Sequence, residues 1–335
     1  MIAWQISKKR QIEQIEKKEF LDDFDNSKIK ITKIILDKHV FQAYNGLGKF
    51  PIIPASFSTG IVTEFEDDGA YDFTKGSKVY ISSFKNCNNC FNCITDNPRH
   101  CSNMSFLGRN VDGVLKDFAI IPNSQIFELP PIVNEKDALF LDIIALNITT
   151  IDKLESSKGQ HVLVIGNGIQ ALVACQLLSY YKSVPIILTN DKYTYDLADE
   201  LGIFYKYHTT DNLSSNVSKL TGGRMASKII YFTDSKININ YIGELSASNA
   251  KVMLSGFDYS NINISIENIM NKQLEVSCVT NGFGEIKSAI NLLANKAIET
   301  SLFNLKEIKF SDVEKYLNSF NSEEDFIPCI VNTMI

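Results

Sequence analysis

The chain has 335 residues, of which 44% are hydrophobic and 21% charged, as in an ordinary soluble globular protein. Its formal net charge of −6 argues against a nucleic-acid or anionic-membrane partner. No signal-peptide pattern and no run of 18 apolar residues occurs, so we expect a cytoplasmic, reducing location in which the seven cysteines are thiols or metal ligands. The short basic run Lys8–Arg10 lies among acidic residues and is predicted to be solvated surface.

The first part of the chain is predicted to be rich in β-structure. Short strands separated by glycine turns are expected at residues 29–36, 60–65, 77–83 and 117–121. Near residue 135 the pattern changes to one typical of helices.

The second part of the chain alternates strands and helices. The apolar, β-branched run from His161 to Ile165 indicates a buried parallel strand. A glycine-rich turn and a helix follow it, and further elements are predicted at residues 185–189, 193–201, 228–233, 251–254, 275–280 and 285–296. This alternation predicts an α/β doubly wound parallel sheet.

Four cysteines lie within fifteen residues of one another, with two short Cys-x2-Cys steps: Cys87, Cys90, Cys93 and Cys101. Four thiolates form the tetrahedron of soft ligands that Zn²⁺ takes in structural sites. An iron–sulfur cluster is the alternative, whereas disulfides would need an oxidising compartment. We predict one structural zinc ion per chain, which does no chemistry because its coordination shell is closed.

Residues 166–171 read G-x-G-x-x-A and lie between a predicted strand and a predicted helix. Gly166 would make the tight turn, and Gly168 would let a pyrophosphate reach the amides of the helix N-terminus. We therefore predict that Gly166, Asn167, Gly168 and Ile169 bind NADPH or NADH. A glycine turn that binds nothing is the alternative.

The choice between the two cofactors depends on the end of the second strand, where NAD sites carry an acid. Here Thr189 or Asn190 takes that position and Lys192 is near, a combination that favours NADPH. A shift of one or two residues would bring in Asp191 and favour NADH.

The cysteine cluster and the glycine turn, in this order and at this separation, resemble the medium-chain dehydrogenase/reductase family. The resemblance is to its zinc-containing alcohol, polyol and threonine dehydrogenase branch and extends over the full chain. Further matching segments are Gly60–Val62, Gly76–Val79, Asp112–Gly113, Glu128–Pro130 and Ala289–Leu293.

The resemblance implies three segments and a small-molecule substrate bound in a cleft. A GroES-like substrate domain is expected at residues 1–148, with the zinc lobe at about 85–105. A Rossmann NAD(P)-binding domain is expected at 149–284, and residues 285–335 return to the substrate domain. Homodimers or homotetramers are also implied.

This chain departs from the family at the catalytic zinc site. Ile34 and Leu36 stand where the family has a cysteine ligand and a proton-relay hydroxyl. Ser56 and Phe57 stand where it has a histidine ligand and the neighbouring carboxylate. The departures imply that the catalytic metal is lost and that an apolar pocket takes its place.

Some polar positions of that site remain. Asp142 matches a third ligand position, and His39 matches the family's relay histidine. The predicted catalytic residues are His39, Asp37 and Ser56, with His39 as general acid because it titrates near neutral pH. A surface histidine at a strand end is the alternative interpretation of His39.

Three functions follow from this sequence. The first is an NAD(P)(H)-dependent oxidoreductase that reduces a small carbonyl or an activated alkene without catalytic zinc. The second is a zinc-dependent alcohol or polyol dehydrogenase with a metal held by Asp37, His39 and Asp142. The third is a non-catalytic relic that acts as a binding protein.

Overall fold

A computed structural model of the chain describes residues 1–18, 21, 25–65, 69–258 and 263–334. Its strands, numbered in chain order, are β1 (Ile2–Lys8), β2 (Gln11–Glu16), β3 (Asn26–Leu36), β4 (Ser58–Glu64), β5 (Lys78–Ile81), β6 (Phe84–Lys85), β7 (Ser105–Phe106), β8 (Phe118–Pro122), β9 (Ile126–Glu128), β10 (His161–Ile165), β11 (Val184–Thr189), β12 (Tyr205–His208), β13 (Ala226–Phe232), β14 (Ser246–Ser255), β15 (Glu275–Val279), β16 (Lys306–Lys309) and β17 (Cys329–Asn332).

The helices are numbered in the same way. They are α1 (Lys38–Tyr44), α2 (Phe91–Ile94), α3 (Glu135–Ala138), α4 (Leu141–Leu154), α5 (Gly168–Tyr180), α6 (Lys192–Glu200), α7 (Leu213–Leu220), α8 (Tyr241–Leu245), α9 (Ile266–Lys272), α10 (Ile286–Ala294) and α11 (Val313–Asn318). Short 3-10 turns lie at Pro98–His100, Asn123–Gln125, Ser301–Phe303 and Phe310–Asp312. Within the described residues, no helix combines the length and the apolar character that crossing a membrane requires.

The first compact unit comprises residues 1–142 and 304–335. Its main sheet has the strand order β16-β17-β3-β4-β5-β9, and β8 also pairs with β3. Every pairing in this sheet is antiparallel except that of β16 with β17. The long strand β3 supplies Ile29, Ile31, Ile34 and Leu36 to one hydrophobic core, in which each of these side chains is fully buried.

The second compact unit comprises residues 143–303 and contains a six-stranded parallel sheet in the order β12-β11-β10-β13-β14-β15. The central strand β10 is buried at four of its five positions, as expected for a strand inside a parallel sheet. Strand order reverses between β10 and β13, which makes their carboxyl ends a topological switch point.

Both predicted architectures are observed: a β-rich first domain and a doubly wound parallel sheet. The predicted strand at 161–165 has the observed bounds of β10, and the other predicted strands overlap β3, β4, β5, β8, β11, β13, β14 and β15. The hairpin of β1 with β2 and the helix α1 were not predicted.

The unit boundaries differ from the predicted domain boundaries. The first division falls between residues 142 and 143 instead of 148 and 149, because α4 begins in the first unit and continues into the second. The second division falls after residue 303 instead of 284. Residues 285–303 stay with the second unit because α10 buries its apolar face there and the Glu299 N–H donates to Gln176 Oε1 at 2.7 Å.

Candidate functional site

The four predicted zinc ligands come together in a small lobe between β6 and β7. Their Sγ atoms all lie within 4.8 Å of one another. The Cys90–Cys93 sulfur separation is 3.5 Å, that of Cys90 and Cys101 is 3.9 Å, and that of Cys87 and Cys93 is 4.0 Å. Zinc at about 2.3 Å from four tetrahedral sulfurs places them roughly 3.8 Å apart. The donor set and its spacing therefore fit a structural zinc ion.

Backbone amides of the lobe point at these sulfurs. The N–H groups of Ser102 and Cys93 lower the pKa of the Cys90 thiol to about 6. Burial acts in the opposite direction on Cys101 and raises the pKa of that thiol to about 11, although the Cys87 N–H donates to its Sγ at 3.3 Å. Amide donors stabilise the thiolate, which is the form that binds a metal.

The glycine turn after β10 requires both of its glycines. A Cβ on Gly166 would lie 2.8 Å from Cδ2 of Phe232 and 3.1 Å from Cβ of Ala171, so a side chain there would clash with the packing of helix on strand. Gly168 has φ of +66°, and no atom lies within 4 Å of the position that its Cβ would take. The surface above Gly168 is therefore open at the N-terminus of α5, where the helix dipole favours an anion.

Asn167 connects this turn to the loops that follow β11 and β13, the two strands on either side of β10. Its Nδ2 donates to Asn190 Oδ1 at 2.6 Å and to the Ser235 carbonyl at 2.8 Å. Its Oδ1 accepts from the Thr189 hydroxyl at 2.6 Å. These bonds fix the edge of the sheet at which a dinucleotide binds in this kind of fold. Ile169, the fourth predicted residue, is half-buried in the first turn of α5.

Asp191 is used to begin a helix. It is the N-cap of α6, and its Oδ2 accepts from the Thr194 N–H at 2.9 Å and from the Thr194 hydroxyl. Thr194 in turn accepts the Gly168 N–H at 2.6 Å, a contact that sequence reasoning missed. The end of β11 thus carries buried Thr189 followed by exposed Asn190, and Lys192 is exposed in the first turn of α6. This is the register that the sequence favours for NADPH.

Two of the three predicted catalytic residues have local structural partners. Asp37 caps α1, and its Oδ1 accepts from the Val40 N–H at 3.0 Å. Ser56 is 4% exposed and donates its hydroxyl proton to the Leu107 carbonyl at 2.7 Å. His39 lies in the first turn of α1 and is half-buried. Asp37 and Ser56 thus serve local structure, which the sequence did not indicate.

The segments that match the family's catalytic zinc site are buried in this chain. Ile34 and Leu36 are fully buried in the core of the first unit, and Phe57 is 3% exposed. The Ile35 N–H donates to the Phe57 carbonyl at 3.0 Å, so the two segments are neighbours. Of the His, Cys, Asp and Glu residues in the described ranges, those grouped closely enough to share one ion are the four cysteines. The set Asp37, His39 and Asp142 is therefore not brought together as a metal site.

Asp142 lies beside this apolar region in a network that the sequence did not reveal. It is 1% exposed, and its Oδ2 accepts from the Tyr80 hydroxyl at 2.8 Å and from the Ser83 N–H at 2.9 Å. Ser83 also donates its hydroxyl proton to the Ser56 carbonyl at 3.0 Å, which joins the network to the predicted site. Burial raises the pKa of Asp142, and burial together with the Asp142 charge raises the pKa of Tyr80. An acid within the apolar run Phe140–Ile144 is the signal that could have indicated it.

The chain is similar in sequence and fold to known proteins. A model of the alcohol dehydrogenase GroES-like domain matches residues 28–131. An uncharacterized zinc-type alcohol dehydrogenase-like protein of Haemophilus influenzae is 20% identical over 291 residues, which cover 86% of this chain and 85% of that protein. Sorbitol dehydrogenase of Halalkalibacterium halodurans is 25% identical over 307 residues, which cover 89% of this chain and 88% of that enzyme. The crystal structure of RspB from Escherichia coli CFT073, an alcohol dehydrogenase solved with NADH, has a TM-score of 0.86 at 17% identity and covers 99% of both chains.

The domain match, the relatives and the fold agree with the two sequence motifs. The family resemblance predicted from the sequence is confirmed, and the chain is an oxidoreductase of the alcohol and polyol dehydrogenase-like kind. Residues 28–131 match the alcohol dehydrogenase GroES-like domain, and the chain as a whole is similar to zinc-type alcohol and polyol dehydrogenases.

Proposed function

We propose that this protein is an NAD(P)(H)-dependent oxidoreductase that transfers a hydride to a small carbonyl compound or an activated alkene without a catalytic zinc ion. The burial of Ile34 at the family's cysteine ligand position, with buried Leu36 and Phe57 in the matching segments, carries this proposal. Hydrocarbon side chains have no lone pair to offer a metal, and a Lewis acid worth several kcal/mol of transition-state stabilisation is then missing. The substrate therefore has to be one that reacts without metal polarisation.

The glycine turn supports a nicotinamide cofactor, which when bound supplies the hydride. Gly168 leaves room for the diphosphate, and the N-terminus of α5 offers it amide donors. We propose NADPH as the preferred form, because Asp191 is committed to capping α6 and neutral Asn190 stands near exposed Lys192. A carboxylate in the position of Asn190 would repel the 2′-phosphate.

We also propose that Cys87, Cys90, Cys93 and Cys101 hold one structural zinc ion per chain. The ion would cross-link a lobe that has little core of its own: the four cysteines are only half-buried, and Phe91 and Ile94 between them are exposed. A thiolate site of this kind suits a reducing compartment such as the cytoplasm. A homodimer or homotetramer stays the expected assembly, which sedimentation would measure.

The proton source is the remaining element of the chemistry. His39 stays the predicted general acid, because an imidazole is the side-chain group suited to proton transfer near neutral pH. Turnover of the His39→Ala variant measures its contribution, which we expect to be about 100-fold in kcat if His39 acts alone. Unchanged turnover would remove His39 from the mechanism.

A fluorescence titration with NADPH and NADH in parallel tests the proposed function. We expect micromolar binding of NADPH and weaker binding of NADH, followed by NADPH oxidation with enones, quinones or aldehydes as probe substrates. Failure of both cofactors to bind at millimolar concentration would contradict the proposal and support the non-catalytic binding protein.

A further inference from the structure

The side-chain amide of Asn167, in the glycine turn, has all of its hydrogen-bonding positions filled. Its Nδ2 donates to the Ser235 carbonyl at 2.8 Å and to Asn190 Oδ1 at 2.6 Å. Its Oδ1 accepts from the Thr189 hydroxyl at 2.6 Å and from the Asn190 backbone N–H at 3.3 Å. A primary amide donates two hydrogen bonds and accepts two, so the surroundings of Asn167 satisfy it completely.

Two of these partners are backbone groups, and they fix which way the Asn167 amide faces. The Ser235 carbonyl can only accept a hydrogen bond, and the Asn190 backbone N–H can only donate one. Turning the amide over would bring two donors together at Asn190 and two acceptors together at Ser235. Asn167 therefore has a single orientation, with Nδ2 toward Ser235 and Oδ1 toward the backbone of Asn190.

This orientation determines how the exposed side chain of Asn190 is turned. Because Asn167 presents an N–H to it, Asn190 uses its own Oδ1 as the inward acceptor. Its Nδ2 is left on the outer side of the amide, and it donates to no protein acceptor in the described part of the chain. The end of β11 thus shows N–H donors to the solvent, where a carboxylate would show only acceptors.

The charges beside Asn190 agree with a ligand that is an anion. Lys192 is exposed and takes part in no ion pair within the described ranges. The Asp191 carboxylate is directed into α6, where its Oδ2 accepts from the N–H and the hydroxyl of buried Thr194. An amide NH2 and an ammonium group side by side fit the acceptor oxygens and the negative charge of a phosphate.

We propose that Asn167 is a specificity-determining residue for the cofactor, because it holds Asn190 with its NH2 group outward, where that group donates to the 2′-phosphate of NADPH. This role rests on the proposed function. Asn167 is a positioning residue that acts through Asn190, whereas Asn190 and Lys192 would contact the phosphate. The neutral 2′-hydroxyl of NADH is a weaker partner, since hydrogen bonds to a charged acceptor are roughly twice as strong as neutral ones.

The adenosine end of the cofactor allows a test without turnover. Adenosine 2′,5′-bisphosphate carries the 2′-phosphate and adenosine 5′-monophosphate lacks it, so the ratio of their dissociation constants, measured by calorimetry, reports recognition of that group. The wild type should prefer the bisphosphate about 100-fold, with Asn190 and Lys192 each contributing about tenfold. Asn190→Ala should lower the preference about tenfold, and Asn167→Ala about fivefold, because the freed Asn190 amide can still turn toward the phosphate.

A double-mutant cycle separates the orientation of Asn190 from any other effect of Asn167. The double variant should show the preference of Asn190→Ala alone, because Asn167 then has no side chain to orient. Asn212→Ala is the control: it removes an asparagine that caps α7 by accepting the Ser215 N–H at 3.3 Å, and its preference should equal that of the wild type. An unchanged preference in Asn167→Ala, or losses that add in the double variant, would overturn the proposal.

Nuclear magnetic resonance can observe the Asn190 side chain directly. In protein that contains isotope-labelled asparagine, the NH2 signals of Asn190 are identified by their loss in Asn190→Ala. They should shift when adenosine 2′,5′-bisphosphate binds and much less when adenosine 5′-monophosphate binds. NH2 signals that do not respond to the bound bisphosphate would contradict a contact between Asn190 Nδ2 and the 2′-phosphate.

The outcomes separate this role from the proposed function. If the wild type binds NADPH and NADH equally tightly and reduces a carbonyl probe, the role of Asn167 is overturned and the proposed hydride transfer stands. If neither cofactor binds at millimolar concentration, the proposed function fails and the role of Asn167 fails with it.

Discussion

The cysteine lobe and the region around Asp142 lie in the same compact unit. They differ in the number, the type and the burial of the side chains that could bind a metal ion. The lobe keeps four soft ligands that are half-buried, with sulfurs 3.5–4.0 Å apart in the measured pairs. The region around Asp142 has a buried isoleucine at the position of the family's cysteine ligand, buried leucine and phenylalanine in the matching segments, and one carboxyl group held by protein donors. Burial alone therefore does not make a metal site, and a set of lone pairs at the right spacing does.

The two regions also differ in the role that we expect of them: the lobe has a structural role, and the region around Asp142 a chemical one. We expect a lobe with few buried residues to depend on a metal cross-link for its stability. The region around Asp142 has a hydrophobic core to hold it together and does not need a metal for stability. Four predictions, from the largest expected effect to the smallest, test this contrast.

The largest effect is expected from Cys93→Ser. Loss of one ligand should remove the zinc ion and lower the melting temperature by roughly 10 °C, because the lobe loses its only cross-link. Metal analysis and thermal denaturation measure the two effects. Cys278→Ser, at an exposed cysteine in β15, is the control and should change neither. An unchanged zinc content in Cys93→Ser would contradict the four-cysteine assignment.

Gly168→Val should weaken NADPH binding about 100-fold or more. A β-branched residue is strained at φ of +66° and its side chain would fill the open space above the turn. Gly202→Val is a matched control, because Gly202 has φ of +70° and equally open surroundings after α6. Both variants should lose similar stability, but Gly202→Val should bind NADPH as the wild type does. Equal loss of binding in the two would refute a cofactor role for the glycine turn.

Asp142→Asn should change how stability depends on pH. The folded pKa of Asp142 is raised by burial, so above the unfolded value near 4 the folded state holds more protons than the unfolded state. The free energy of unfolding of the wild type should therefore fall as pH rises from about 4 through the folded pKa, by at most about 1.4 kcal/mol per pH unit from this group. Urea titrations at several pH values should show that Asp142→Asn lacks this component. Parallel pH profiles for the two proteins would mean that Asp142 has an ordinary pKa.

The smallest effect is expected from Asn190→Asp, which should shift cofactor preference toward NADH by roughly tenfold. A carboxylate there would accept hydrogen bonds from the ribose hydroxyls and repel a 2′-phosphate. Lys192→Ala should weaken NADPH binding and leave NADH binding unchanged. Titration of each variant with both cofactors gives the ratio, and an unchanged ratio would exclude this loop from cofactor selection.

Local patterns explain which parts of this fold could be predicted from the sequence. The apolar run of β10, the two glycines after it and the spacing of the four cysteines each act within about fifteen residues. Their geometry follows from strand, turn and ligand chemistry, so the doubly wound parallel sheet and the clustering of the four cysteines agree with expectation.

Contacts between distant segments account for what the sequence did not show. Arg10 was predicted to be solvated surface, yet it is half-buried and donates to the carbonyls of Phe320 and Asn321 at 2.9 Å, more than 300 residues away. The donors to Asp142 lie 62 and 59 residues earlier in the chain. No periodicity or motif indicates such pairs, because each partner has an ordinary local sequence.

The most direct test of the central claim is the zinc content of wild-type protein that oxidises NADPH with a carbonyl probe, measured before and after treatment with 1,10-phenanthroline. We predict one zinc ion per chain, and turnover that continues when the chelator is present. Two ions per chain, or turnover that stops when a chelator removes one of them, would contradict hydride transfer without a catalytic metal.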